Sequence, residues 1–247
     1  MQCQDPAELV AEAFGSPGMR ATFVVIQRLA AHARVVLIAG ETGTGKELAA
    51  RALHLESPRR DRPFVIINCS SIASASFERE LVGQLDAADG GTLFLDEAAD
   101  LPAQPQARLL SVLDACEAHR SGSTARAAVD MAVVAATSRD LHAEVGAGRF
   151  RTDLYYRLTA ATLRLPPLRE RREDIPHLAA GFIRECGIRI GRTFDGMTPE
   201  AERRLCDARW DGNVRELRLT IERACMLATG TVLTERDLAR PLQTWTH

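Results

Sequence analysis

Residues 35–47 read VVLIAGETGTGKE. Val35-Val36-Leu37-Ile38-Ala39 is a continuous apolar run of strand length. Gly40-Glu41-Thr42-Gly43-Thr44-Gly45-Lys46 follows at once, and Glu47–Leu55 then sets Leu48, Ala52 and Leu55 on one helical face. Strand, glycine-rich turn and helix in that order fit a phosphate-binding loop. Glycines let backbone N–H groups turn toward one point, and the helix N-terminus adds partial positive charge. Lys46 then reaches the β- and γ-phosphates of ATP. An ordinary glycine-rich turn is the bland alternative, and the flanking elements and the lysine argue against it. Gly40 to Glu47 is therefore the expected nucleotide cradle. Glu47 stands where the general motif has Ser or Thr, so the usual hydroxyl ligand to Mg2+ is missing. Glu47 could serve through its own carboxylate or through water, and both readings stay open.

Four more apolar runs extend the pattern: Phe64–Ile67, Thr92–Leu95, Met131–Ala136 and Ala160–Leu165. Continuous apolar runs suit strands covered on both faces, as in a parallel sheet. A helix fits Gln104–Leu113. Strands alternating with helices predict an α/β fold with a doubly wound, parallel five-stranded sheet. Thr92–Leu95 ends in Asp96 and Glu97. At a strand end beside a phosphate loop, Asp96 would hold Mg2+ and Glu97 would polarise the attacking water. Without the loop, the two acids read equally as a solvated strand end.

Beyond Leu168 the signals are helical. Asp174 is the expected cap of a helix over Ile175–Ile183, and Thr198-Pro199 opens another. Asn213-Val214-Arg215-Glu216 reads as a capping box with Asn213 as the cap. Its stripe of Val214, Leu217, Ile221, Ala224 and Ala228 stops near Gly230. Thr234–Asp237 opens a last short helix. The expected organisation is a nucleotide-binding domain over 1–168, a small α-helical lid over 169–240 and a tail over 241–247.

Net charge is −2, from 31 basic and 33 acidic residues, which gives nucleic-acid binding no support from bulk charge. No apolar stretch approaches membrane-spanning length, and the N-terminal residues lack a signal pattern. The six cysteines form no CxxC pair and read as reduced cytoplasmic thiols, Cys69 as a buried filler. His54, His119 and His177 are isolated and suggest no metal site.

These motifs together resemble the central AAA+ domain of bacterial enhancer-binding proteins, the sigma-54-dependent transcription activators. The resemblance runs from about Phe14 to Leu238 and rests on GETGTGKE (40–47), GGTLFLDE (90–97), FRTDLYYRL (150–158), LPPLRERREDIP (165–176) and WDGNVREL (210–217). It implies that Asn68 is a switch residue holding Glu97, and that Thr137 and Ser138 lie at sensor I, where the family usually ends ATN. It implies that Arg151 and Arg157 are arginine fingers reaching a neighbouring subunit's ATP. It makes Arg215 the sensor II arginine of the lid. On the residues alone, Arg151 and Arg157 read as a solvated face or structural ion pairs, Arg215 as solvated, and Asn68 as a turn residue. The resemblance also implies a homo-oligomeric ring, hexameric or heptameric, or a hetero-oligomer with a related AAA+ protein. The expected target is RNA polymerase or a transcription factor.

One family feature is missing. The activators carry a hairpin bearing the GAFTGA motif between ELFG and DGGTLFLDE. Here only Gln84-Leu85-Asp86-Ala87-Ala88 separates Gly83 from Asp89, too little for the motif. The second surface loop, around Glu117–Ala128, has no aromatic residue and reads as a connector. The short remainder after Arg240 leaves no helix-turn-helix, so direct DNA binding is not expected. Ser138 and Asp211 are small departures from the family pattern. Three functions stay open: an oligomeric ATPase remodelling a transcription partner, a nucleotide-dependent co-assembly module with little turnover, and an anti-activator that blocks such rings.

Overall fold

The computed structural model describes residues 7, 10, 13–71, 83–120 and 130–243. They fall into two compact units. The first gathers the described residues of Met1–Ala11, Ala21–Glu41 and Gly45–Leu165. The second gathers those of Glu12–Arg20, Thr42–Thr44 and Pro166–His247. The tip of the glycine-rich loop thus packs with the C-terminal residues rather than with its own flanks.

After α1 (Arg20–His32), the first unit runs β1 (Val35–Ala39), α2 (Lys46–Leu55), β2 (Phe64–Asn68) and β3 (Thr92–Asp96). It continues with α3 (Ala103–Arg120), β4 (Ala132–Thr137), α4 (Leu141–Gly146), α5 (Thr152–Leu158) and β5 (Thr162–Arg164). The five strands form one sheet in the order β2-β3-β4-β1-β5, with every neighbouring pair parallel. Burial explains the unbroken apolar runs: Thr92–Leu95 and Val133–Thr137 are buried throughout. Leu93, Leu95, Val133 and Ala135 share a core with Leu109 and Leu113 of α3 and Leu154 and Leu158 of α5. All five expected strands are present. Asn68 and Asp96 are drawn in as the last residues of β2 and β3, and the final strand shortens to three residues.

Asp130 ties the opposite end of the sheet. Its Oδ1 accepts from Arg34 Nη1 and Arg59 Nη2, each at 2.6 Å, and Arg59 Nη1 also donates to the Gly90 carbonyl at 2.7 Å. The Asp130 carboxylate thereby joins the lead-in to β1 with the loop before β2, and Arg59 extends the tie to the lead-in of β3.

The second unit contains α6 (Ile175–Ile190), β6 (Gly196–Met197), α7 (Pro199–Asp207), α8 (Asn213–Leu227), β7 (Val232–Leu233) and α9 (Glu235–Gln243). Trp210, Leu217, Ile221, Ala224 and Cys225 lie at its centre, and Trp210 Nε1 donates to Leu205 O at 2.9 Å. The helix-only expectation is corrected here, because β6 and β7 pair as a small parallel sheet. Two-residue strands carry no periodicity to read. Thr198 caps α7 as expected, accepting from Ala201 N. Asp174 does not cap α6 with its side chain, because its Oδ1 accepts the Gly18 N–H at 2.8 Å instead. Asn213 is not the cap of α8 either. Gly212 takes that place, its N–H donating to Glu216 Oε2 at 2.8 Å, while the Asn213 amide is used elsewhere.

The hydrogen bond from Arg59, helped by Arg34, holds the Asp130 carboxyl below its ordinary range. A carboxyl lowered on folding stabilises the protein above its unfolded pKa, and that stabilisation is lost as pH falls through the folded value. Asp130→Asn should therefore lower the urea midpoint at pH 7. The gap from wild type should start to narrow as pH falls below about 4 and close only below the folded pKa. Urea titrations at pH 7 and at successively lower pH check this.

Candidate functional site

The site grows from the ends of three adjacent strands. After β1, Gly43 and Gly45 turn the chain at φ 80° and 101°, in the left-handed region that side chains avoid. The turn delivers Lys46 as the first residue of α2, buried, with Nζ donating to the carbonyls of Gly40 (3.1 Å) and Glu41 (3.4 Å). After β3, Glu97 takes φ 53°, ψ 54°, an uncommon and costly conformation for a residue with a side chain. Its Oε1 lies 3.2 Å from Lys46 Nζ. After β4, Ser138 gives both its N–H and its Oγ–H to Glu97 Oε2, each at 2.9 Å. Buried Thr137 shapes that turn, its Oγ1 accepting from Arg139 N at 3.0 Å.

The two acids are tuned in opposite directions. Burial raises the Asp96 pKa, the neighbouring Glu97 charge adds to the rise, and Lys46 opposes it. Burial also presses Glu97 upward, but the hydrogen bonds from Ser138 and the charge of Lys46 outweigh it, and its pKa is lowered. Among the described residues no group of three His, Cys, Asp or Glu gathers as a metal site. A carboxylate pair still fits Mg2+, which is held by one or two carboxylates with substrate phosphates completing its shell. Asp96, a carboxylate disfavoured by burial and by its neighbour, is the kind of oxygen donor a hard cation would stabilise. Cys69 is buried with its thiol pushed up to about 12 by burial and Asp96, which suits a filler rather than a nucleophile.

Other expected site residues stand apart. Asn68 Oδ1 accepts from Ser70 N (3.1 Å) and Ser70 Oγ (2.7 Å), so its side chain stabilises its own turn. The structure does not pair it with Glu97. Glu47 pairs with Arg51 one turn along α2, its Oε1 2.8 Å from Arg51 Nη2. Arg151 forms a two-pronged pair with Asp153 at 3.0 and 2.7 Å. Arg157 pairs with Asp114 at 2.7 Å and with Glu117. Exposed Arg215 sits in the first turn of α8, and a Cβ on Gly43 would meet its Cβ at 3.1 Å. Sequence reasoning missed the partners of the loop tip. Asn213 Nδ2 donates to Thr42 O, Val214 N to Gly43 O, and Arg171 Nη2 to the carbonyl of buried Thr44. The sequence signal was an asparagine at a helix start, which also tolerates left-handed backbone.

In the link before β3, residues 83–87 are helical and Ala88 is fully buried. Glu80, Leu81 and Val82, the expected landmark before the link, lie outside the described residues, as do 121–129 of the second loop.

The profile of the Sigma-54 interaction domain matches residues 13–164, and that of the AAA+ ATPase lid domain matches residues 169–246. The chain belongs to the sigma-54 interaction domain family. Family members similar to it include the transcriptional regulatory protein ZraR of Klebsiella oxytoca, 46% identical over 90% of this chain and 54% of that protein. The response regulator protein PilR of Pseudomonas aeruginosa is 44% identical over the same shares. The chain spans about half the length of these curated relatives. The crystal structure of NtrX from Brucella abortus in complex with ATP aligns with a TM-score of 0.80 at 35% identity, over 90% of this chain and 55% of that one. The sigma-54 interaction domain is an AAA+ P-loop NTPase domain, and its sheet and helical lid are both present here. No helix among the described residues is long and apolar enough to cross a membrane.

Ser138→Ala removes one of the two donors to Glu97 and leaves the backbone N–H. The Glu97 carboxyl should then titrate at higher pH than in wild type. Carboxyl 13C NMR of the two proteins measures the change.

Proposed function

We propose that this chain is the ATP-hydrolysing AAA+ module of a bacterial transcription regulator that lacks the usual sigma-54-contacting hairpin. The observation that carries the proposal is the 3.2 Å approach of Lys46 Nζ to Glu97 Oε1, just beyond the ends of the two parallel strands that flank β4. A phosphate-binding cation and a candidate base meet there.

In this reading Gly40 to Lys46 cradle the β- and γ-phosphates, and Asp96 would hold Mg2+. The ion would supply charge neutralisation to the transferring phosphate. An arriving γ-phosphate competes for Lys46 and frees Glu97 Oε1, while Ser138 keeps Oε2 in place. Glu97 orients a water and takes its proton as the oxygen adds to the γ-phosphorus. The bond to the β-phosphate oxygen breaks, leaving ADP and phosphate. Asn68 would act on Glu97 only after releasing Ser70, so Ser138 is the partner that holds the glutamate first. Thr137 holds the sensor I turn, and Arg215 of the lid reaches the nucleotide beside Gly43. Glu47 would serve Mg2+ only after leaving Arg51.

Arg151 and Arg157 would act in a neighbouring subunit of a homo-oligomeric ring or a hetero-oligomer. Both are held by acids at the surface, where ion pairs are weak, so exchanging them for phosphate costs little. The helical Gly83–Ala87 segment and buried Ala88 support the missing-hairpin reading, because a single short turn over 88–91 then leads into β3. RNA polymerase or a transcription factor would then be engaged by another surface.

Phosphate release should depend on magnesium and rise steeply per subunit with protein concentration. Glu97→Gln should abolish it while retaining ATP binding, and Arg151→Ala should slow it roughly a thousandfold or more. Tight ATP binding without turnover at any concentration would overturn the hydrolysis reading in favour of co-assembly with a complete relative. Gel filtration with sigma-54 and a transition-state analogue should show separate elution. A stable complex would sink the hairpin claim.

A further inference from the structure

We propose that Asn213 is a positioning residue that presets the phosphate-binding N–H groups of the loop from the lid side. The inference rests on the ATP reading above and names a residue outside the expected site.

Three successive carbonyls of the loop tip accept hydrogen bonds from the helical unit to which the tip belongs. Thr42 O takes Asn213 Nδ2 at 3.0 Å, Gly43 O takes Val214 N at 3.0 Å, and Thr44 O takes Arg171 Nη2 at 3.0 Å. In a planar trans peptide, the C=O of one residue and the N–H of the next point in opposite directions. Carbonyls 42, 43 and 44 turned toward α8 and Arg171 therefore turn the N–H groups of Gly43, Thr44 and Gly45 the other way. Those are the N–H groups a phosphate cradle uses.

Asn213 is built for this task. It is completely buried and sits at φ 53°, an uncommon conformation in which asparagine is enriched. Its Oδ1 accepts the Leu168 N–H at 2.7 Å, which fixes the amide so that Nδ2 faces Thr42. The fit is close, since a Cβ on Gly43 would come within 2.2 Å of Gly212 O. Only a residue without a side chain lets the loop tip approach the start of α8 this closely.

The competing view is that Asn213 only closes the start of α8. Two variants of the full chain separate the views. Asn213→Asp keeps the shape and the acceptor for Leu168 N–H but sets an oxygen against Thr42 O. Asn213→Gly is neutral, accommodates φ 53° and loses both bonds. Binding of a fluorescent N-methylanthraniloyl-ATP and amide hydrogen exchange of the unliganded proteins are the readouts. Both variants should weaken binding roughly tenfold or more, and exchange should accelerate at Gly43–Gly45 more than along Leu217–Cys225. Unchanged affinity in either variant, or acceleration confined to α8, would overturn the proposal. Wild-type protein that fails to bind the probe would remove the ATP reading and this one with it. Wild-type binding with unaltered variants would remove this one alone.

Discussion

The parallel register of β3, β4 and β1 is the constraint on which the rest depends. Ala39 lies opposite Thr137 and Leu95 opposite Ala135, so the three strands end at nearly the same level. Whatever follows each strand is delivered to one place: Lys46 after β1, Glu97 after β3, Ser138 after β4. Their meeting is a product of strand order. β4 sits between β3 and β1, and a different order would separate Glu97 from Ser138 without altering any residue.

The glycine-rich loop adds a second level of organisation. Its ends belong to the sheet unit and its tip to the helical unit. Asn213, Val214 and Arg171 hold the tip through main-chain carbonyls, which explains why the loop sequence gives no hint of its partners.

What was legible in the sequence divides along physical lines. Val35–Ala39 and Thr92–Leu95 could be read because a buried strand needs an unbroken apolar run. Thr198 could be read as a cap because its local chemistry serves only its own helix. Asn213 and Asp174 misled because polar residues at a helix start also suit long-range partners: Leu168 N and Thr42 O for one, Gly18 N for the other. Sequence cannot choose between a local and a distant hydrogen bond. The pairing of Ser138 with Glu97 was hidden for a related reason, since the family pattern directed attention to Asn68. β6 and β7 were hidden because two residues cannot show alternation.

The backbone of Glu97 carries one more consequence. A residue with a side chain held at φ 53° costs of order 1–3 kcal/mol. Glycine there would relax the turn into Ala98–Asp100, but it would leave buried Lys46 and both Ser138 donors without the carboxylate they hold. Strain in the backbone and attraction through the side chain thus act against each other at one residue, and the turn keeps its shape only while the second offsets the first.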